Sequence, residues 1–94
     1  LPEADEVYAW ESTKPVLQAW RDLVAAVPEE YMSEETFLKI QDQVKEKAGV
    51  KGKFLFMPIR VAVIGKPHGS ELKILVPIIS KSSLLKRVDI ALGK

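Results

Sequence analysis

Between Lys51 and Leu72 the chain reads KGKFLFMPIRVAVIGKPHGSEL, an almost unbroken apolar run that holds one arginine and leaves through a basic, glycine-rich exit. A buried run excludes Arg60 unless its charge is met, either by an internal carboxylate or by a phosphate or base edge arriving from outside. Local preference leaves the backbone open between two states: Val61, Val63 and Ile64 favour a strand, while Phe54, Leu55, Met57 and Ile59 suit either. Pro58 fits the first turn of a helix over Pro58–Ile64, where its missing donor costs nothing, and Gly65 ends that helix. A short buried helix is the expectation and a strand the alternative.

The segments around the run carry plainer helix signals. Pro2 to about Trp10 has an early proline and Glu3, Asp5 and Glu6 in its first turn, as a helix amino terminus would. Ser12 or Thr13 can cap the next helix, which tolerates Pro15 near its start, lines up Val16, Trp20, Leu23, Val24 and Val27, and stops at Pro28. The clearest helix starts at Ser33, with Glu34 and Glu35 behind the cap and Phe37, Ile40, Val44 and Ala48 on one stripe. Lys45 and Lys47 suit its last turn, and Gly49 supplies the left-handed stop. After the turn Gly65–Gly69, Ser70 opens a segment with Leu72, Leu75, Val76 and Ile79 at helical spacing, which Pro77 should kink or shorten. The last segment, Ser80 to Leu92, turns Leu84, Leu85, Val88, Ala91 and Leu92 inward and Lys81, Lys86 and Arg87 outward. The expectation is an all-α domain, a compact bundle or cage of five to six short helices, requiring no sheet.

Ninety-four residues, 47% hydrophobic and 29% charged, make one globular domain spanning 1–94. The absence of cysteine excludes disulfides and thiolate metal sites, and the single histidine, His68, leaves little for histidine-based metal or triad chemistry. No run approaches the roughly 18 apolar residues of a membrane span, so a cytoplasmic protein without a membrane partner is expected. Leu1 is followed at once by acidic residues, which suggests neither a signal nor a transit peptide and a piece of something longer. The net charge of +1 hides a split: residues 1–47 hold 5 Lys+Arg and 11 Asp+Glu, a net of −6, while residues 48–94 hold 9 and 2, a net of +7. The carboxyl half is therefore a candidate footprint for a polyanion, unless the two halves simply attract each other within the fold.

Catalytic readings find little support. Glu34, Glu35, Asp42 and Glu46 sit among polar residues with no sign of a pocket that would raise a pKa. His68 has no partner at catalytic spacing. Gly65 and Gly69 flank Lys66 ahead of a helix start, but neither the Walker nor the GxGxxG spacing occurs; a backbone nest holding an RNA phosphate is the remaining functional reading. Trp10 and Trp20 are either stacking platforms or, more in keeping with their helical spacing, packing residues.

The stretch KGKFLFMPIRVAVIGKPHGSELKILVPIISKSSLLKRVDIAL resembles the carboxyl-terminal end of the bacterial glutamyl-tRNA synthetase family. The Pro58, Arg60, Ala62, Gly65 frame followed by His68-Gly69-x-Glu71-Leu72 carries the likeness, which covers about residues 33–94 well and the acidic part loosely. The resemblance implies an all-α, cage-like anticodon-binding domain of a class I synthetase whose catalytic domain lies outside this chain. It also implies tRNA as partner, through the anticodon stem-loop of tRNA(Glu), and a monomer. ATP and Mg would serve the parent enzyme, with no cofactor in this fragment and no catalysis by it. By the same resemblance Arg60 contacts the anticodon, Gly69, Ser70 and Leu72 pack round its third base, and Lys66, His68 and Lys73 border them. The sequence departs from the family pattern at Ser70, where proline is common, and at Ser80, where glycine usually separates the last helices. The alternative from a different class is a helical protein-interaction module without RNA specificity.

Overall fold

The computed structural model describes residues 2–66 and 71–93, with side chains from residue 5. Six helices and one 3₁₀ turn make up the regular structure, with no strand among the described residues, as the all-α expectation requires.

Local signals account for α3 (Glu34–Ala48) almost completely. Ser33 is extended, its hydroxyl accepts from the Thr36 N–H at 3.1 Å, and Gly49 closes the helix at φ 67°. Phe37, Ile40 and Val44 are buried on its inner stripe. That stripe meets α2 (Thr13–Ala25), the hub of the molecule, which packs against α3, α4 and α6. Trp20 of α2 is fully buried and meets the Phe37 ring edge-on, centroids 5.9 Å apart at 81°, which makes Trp20 a packing residue. At the α2 start Ser12 makes no side-chain cap. Thr13 instead is buried and its hydroxyl donates to the Val7 carbonyl, fastening α1 (Pro2–Ala9) to α2.

The apolar run forms α4 (Lys53–Ile64), a helix five residues longer at its start than expected. It begins at Gly52, whose carbonyl accepts from the Leu55 and Phe56 N–H groups at 3.0 and 3.1 Å. Pro58 lies inside, at the sixth position, so the Phe54 carbonyl loses its helical donor. Burial outweighs that loss: Leu55, Pro58, Ile59, Val61, Ala62 and Val63 are all buried, and each large apolar side chain contributes about 1.5–3 kcal/mol when removed from water. Because α1, α2 and α6 all contact α4, three consecutive residues, Val61 to Val63, are buried and no single stripe shows in the sequence.

Pro77 shortens the next element as expected. One turn of α5 (Leu72–Leu75) passes into a 3₁₀ turn (Val76–Ile78), both packed on α3. The last helix, α6 (Lys81–Ala91), is capped by Ser80, whose hydroxyl accepts from Ser83 N–H at 3.2 Å. Lys81 does not point away as expected. Its ammonium donates to the Val27 carbonyl at 2.8 Å and its backbone N–H to the Glu30 carbonyl, while Glu30 Oε2 accepts from Ser82 N–H at 3.1 Å. The unpaired donors at the α6 start thus find acceptors in the loop after α2. The result measures 32 × 25 × 25 Å.

Candidate nucleic-acid interface

Helices α3 and α4 and the start of α5 flank an open cleft of about 270 Å³ lined by Phe37, Leu38, Gln41, Phe56, Arg60, Glu71, Leu72 and Lys73. Each wall follows from local structure. Phe56 and Arg60 stand one helical turn apart on α4, as do Phe37 and Gln41 on α3, so each helix offers an aromatic followed by a polar group. Leu72 is 4% exposed and forms the floor, while Lys73 beside it is exposed at the rim.

Arg60 is the eighth residue of α4 rather than a first-turn residue, and it is half-buried. Its Nε is shut off from solvent and has no hydrogen-bond partner. No carboxylate among the described residues forms an ion pair with it; the nearest acidic wall residue, Glu71, instead pairs with Lys73 at 3.7 Å. Because Nε is closed off, a ligand in the cleft meets Arg60 at its terminal guanidinium nitrogens, which are not closed off and carry no hydrogen bond or ion pair among the described residues. A planar, forked donor beside two aromatic rings and an amide suits a flat heterocycle with acceptors on its edge.

Of the residues picked from sequence, the cleft brings together Arg60, Leu72 and Lys73 from two elements. Lys66 is exposed just beyond α4 and does not line it. His68, Gly69 and Ser70 lie outside the described residues. Sequence reading missed Phe37, Leu38, Gln41, Phe56 and Glu71. Phe56 was within reach of it, since the i, i+4 spacing to Arg60 shows once α4 is started at Gly52; Gln41 stands one turn beyond Phe37 on a helix already recognised. The carboxylates Glu34, Glu35, Asp42 and Glu46 are all exposed, on the solvated side of α3.

The charge split has a structural counterpart. Four ion pairs occur among the described residues, and only Arg21–Asp89, at 2.8 Å, joins the two halves. It pairs a cation of the acidic half with an acid of the basic half, so it leaves the excess of each untouched. Among the described residues, no Lys or Arg after residue 47 is ion-paired with a carboxylate before it. The basic half keeps its charge for solvent or a polyanion.

A family described as anticodon binding domain matches residues 3–92. Among curated relatives, a glutamate–tRNA ligase of Bdellovibrio bacteriovorus is 65% identical over 94 residues, all of this chain and 19% of the relative. A glutamate–tRNA ligase of Desulforamulus reducens is 37% identical over 90 residues, and glutamate–tRNA ligase 1 of Caldicellulosiruptor saccharolyticus 36% over 87, each match covering 18% of the relative. The chain thus spans about a fifth of the length of the curated relatives it matches. No solved structure matches it. With the match running nearly end to end over an all-α fold, the chain belongs to the anticodon binding domain family.

Proposed function

We propose that this chain recognises the anticodon loop of tRNA(Glu) as one part of a glutamate–tRNA ligase, in which other regions use ATP and Mg to attach the amino acid. The observation that carries the reading is the Arg60 guanidinium, half-buried beside Phe56 in the cleft with no ion-pair partner among the described residues. An unstacked loop nucleotide supplies what the cleft lacks: a flat ring to lie against Phe56, edge acceptors for Arg60, and a phosphate for Lys73. Lys66, His68, Gly69, Ser70 and Leu72 complete the contact set, with Lys66 binding the backbone and Leu72 limiting the depth to which a base enters. No residue of the chain is assigned to catalysis or to ATP, and the chain acts as a monomer in the cytoplasm.

Replacing Arg60 by Ala is expected to weaken binding of a tRNA(Glu) anticodon stem-loop by about 1–3 kcal/mol and to relax discrimination at one anticodon position. A filter-binding titration at moderate salt measures both. Unchanged affinity and unchanged selectivity would remove Arg60 from the site.

A further inference from the structure

A second aromatic and basic cluster stands outside the cleft. Trp10, at the end of α1, meets Phe54 of α4 edge-on, ring centroids 4.9 Å apart at 61°. The Lys53 ammonium lies over both rings, 5.9 Å from the Trp10 centroid and 5.3 Å from that of Phe54. Trp10 is anchored beneath, against Val7, Val61 and Met57. Phe54 is different: it is 40% exposed, although a helix start offers many positions where an apolar ring could be covered. Lys53 itself has no ion-pair partner among the described residues.

The cluster shares helix α4 with the Arg60 cleft. Lys53 and Arg60 are seven residues apart on one helix, which puts them on nearly the same face about 10 Å apart along the axis. That is on the order of three stacked nucleotide steps of about 3.4 Å each. Phe54 lies a third of a turn round from that line, so a strand whose phosphate meets Lys53 turns its base toward the Phe54 ring. The carboxylates nearby, Asp5, Glu6 and Glu11, are on or just after α1, so the approach for a polyanion is from the α4 side.

We propose that Lys53, Phe54 and Trp10 form a second RNA-binding platform, on which a nucleotide about three steps from the one in the Arg60 cleft stacks against Phe54 while Lys53 holds its phosphate. The proposal rests on the anticodon reading above. It adds to that reading a binding surface that neither the basic exit loop nor the Arg60 cleft contains. An extended RNA strand fits better than a protein segment, because the ring pair is topped by an unpaired cation rather than bordered by an apolar groove.

The test compares Phe54→Leu, which keeps apolar bulk and loses the π-face, with Phe54→Tyr, which keeps the ring, in the 94-residue chain titrated with a tRNA(Glu) anticodon stem-loop. Stacking of one base is worth about 1–3 kcal/mol, so Phe54→Leu should raise Kd about 5- to 150-fold while Phe54→Tyr stays near wild type. Lys53→Gln should make the log Kd against log salt slope shallower by about 0.7. Circular dichroism melts should keep each variant folded at the titration temperature, with Phe54→Leu and Lys53→Gln lowered slightly by the lost contacts with the ring pair. Wild-type affinity in Phe54→Leu together with weakened binding in Arg60→Ala would overturn the platform and leave the anticodon reading standing. Equal losses in Phe54→Leu and Phe54→Tyr would also overturn it, because the ring would then not be what the RNA contacts. If the unsubstituted chain does not bind the stem-loop at all, the anticodon reading falls and the platform with it.

Discussion

Arg60 shows how one residue can carry a functional reading when its surroundings are accounted for atom by atom. Its charge was the anomaly of the apolar run, and two explanations were open from sequence: an internal carboxylate or an external anion. The structure supplies no internal partner among the described residues, and leaves Nε buried. Lysine retains the charge but not the planar fork, so Arg60→Lys should keep part of the RNA affinity while losing selectivity among anticodons, as competition between stem-loops differing at single positions would reveal. Glu30 is an exposed carboxylate whose protonation bears on one contact, that between the loop after α2 and the start of α6. Its carboxyl is held below the ordinary carboxylate value, first by the hydrogen bond from the Ser82 backbone N–H, then by the Ser82 and Ser80 hydroxyls and the nearby Lys81 charge. A carboxyl lowered in the folded state adds stability that is present above its unfolded pKa and lost as pH falls through the lowered value. Glu30→Gln should therefore lower Tm at neutral pH, and the gap to wild type should close in acid. Thermal melts across that range check the sign; a gap that is constant with pH would dissociate the carboxylate from the effect.

At the scale of elements, the lesson is in how α3 and α4 differed. The sequence of α3 states both its ends and its inner stripe, and the structure follows it from Ser33 to Gly49. For α4 the helical state was one of two open readings and its start was misplaced, because Pro58 is a familiar first-turn residue and the true start, Gly52, has no side chain to signal a cap. Burial on several sides also erased the stripe that would have extended the helix back to Lys53. The two glycines that bracket this junction would tolerate a side chain to different degrees. Gly49 occupies the left-handed region at φ 67° and ψ 30°, which other residues visit at modest cost; Gly52, at φ 61° and ψ −137°, does not. Substituting alanine should cost about 1 kcal/mol at Gly49 and about 1–3 kcal/mol at Gly52 by urea unfolding. Similar losses at both would show that Gly52 relaxes when replaced. The half of the cleft that sequence missed follows from the same error: with α4 started at Pro58, Phe56 had no place beside Arg60. Gln41 was hidden for another reason, since a polar residue on a solvated helix gives no sign of the neighbour that tertiary packing brings to it.

For the whole molecule, the separation of charge decides what the fold can meet. The acidic amino half supplies the hub helix α2 and most of α3, whereas the basic half supplies α4 to α6 and keeps its excess positive charge unpaired. Binding that places Lys53, Lys66 and Lys73 on the phosphates of a single strand predicts a log–log salt slope on the order of −2, whereas an apolar protein contact predicts a slope near zero. That slope separates the RNA reading from a protein-docking module without any substitution. Whether an anticodon nucleotide fills the cleft and meets Arg60 can be read from the Arg60 terminal guanidinium N–H resonances while an anticodon stem-loop of tRNA(Glu) is added. These signals should shift downfield and become protected from exchange in step with saturation, together with the side-chain amide of Gln41. Guanidinium signals that stay where they are in the free protein while the RNA is bound would show that no nucleotide reaches Arg60.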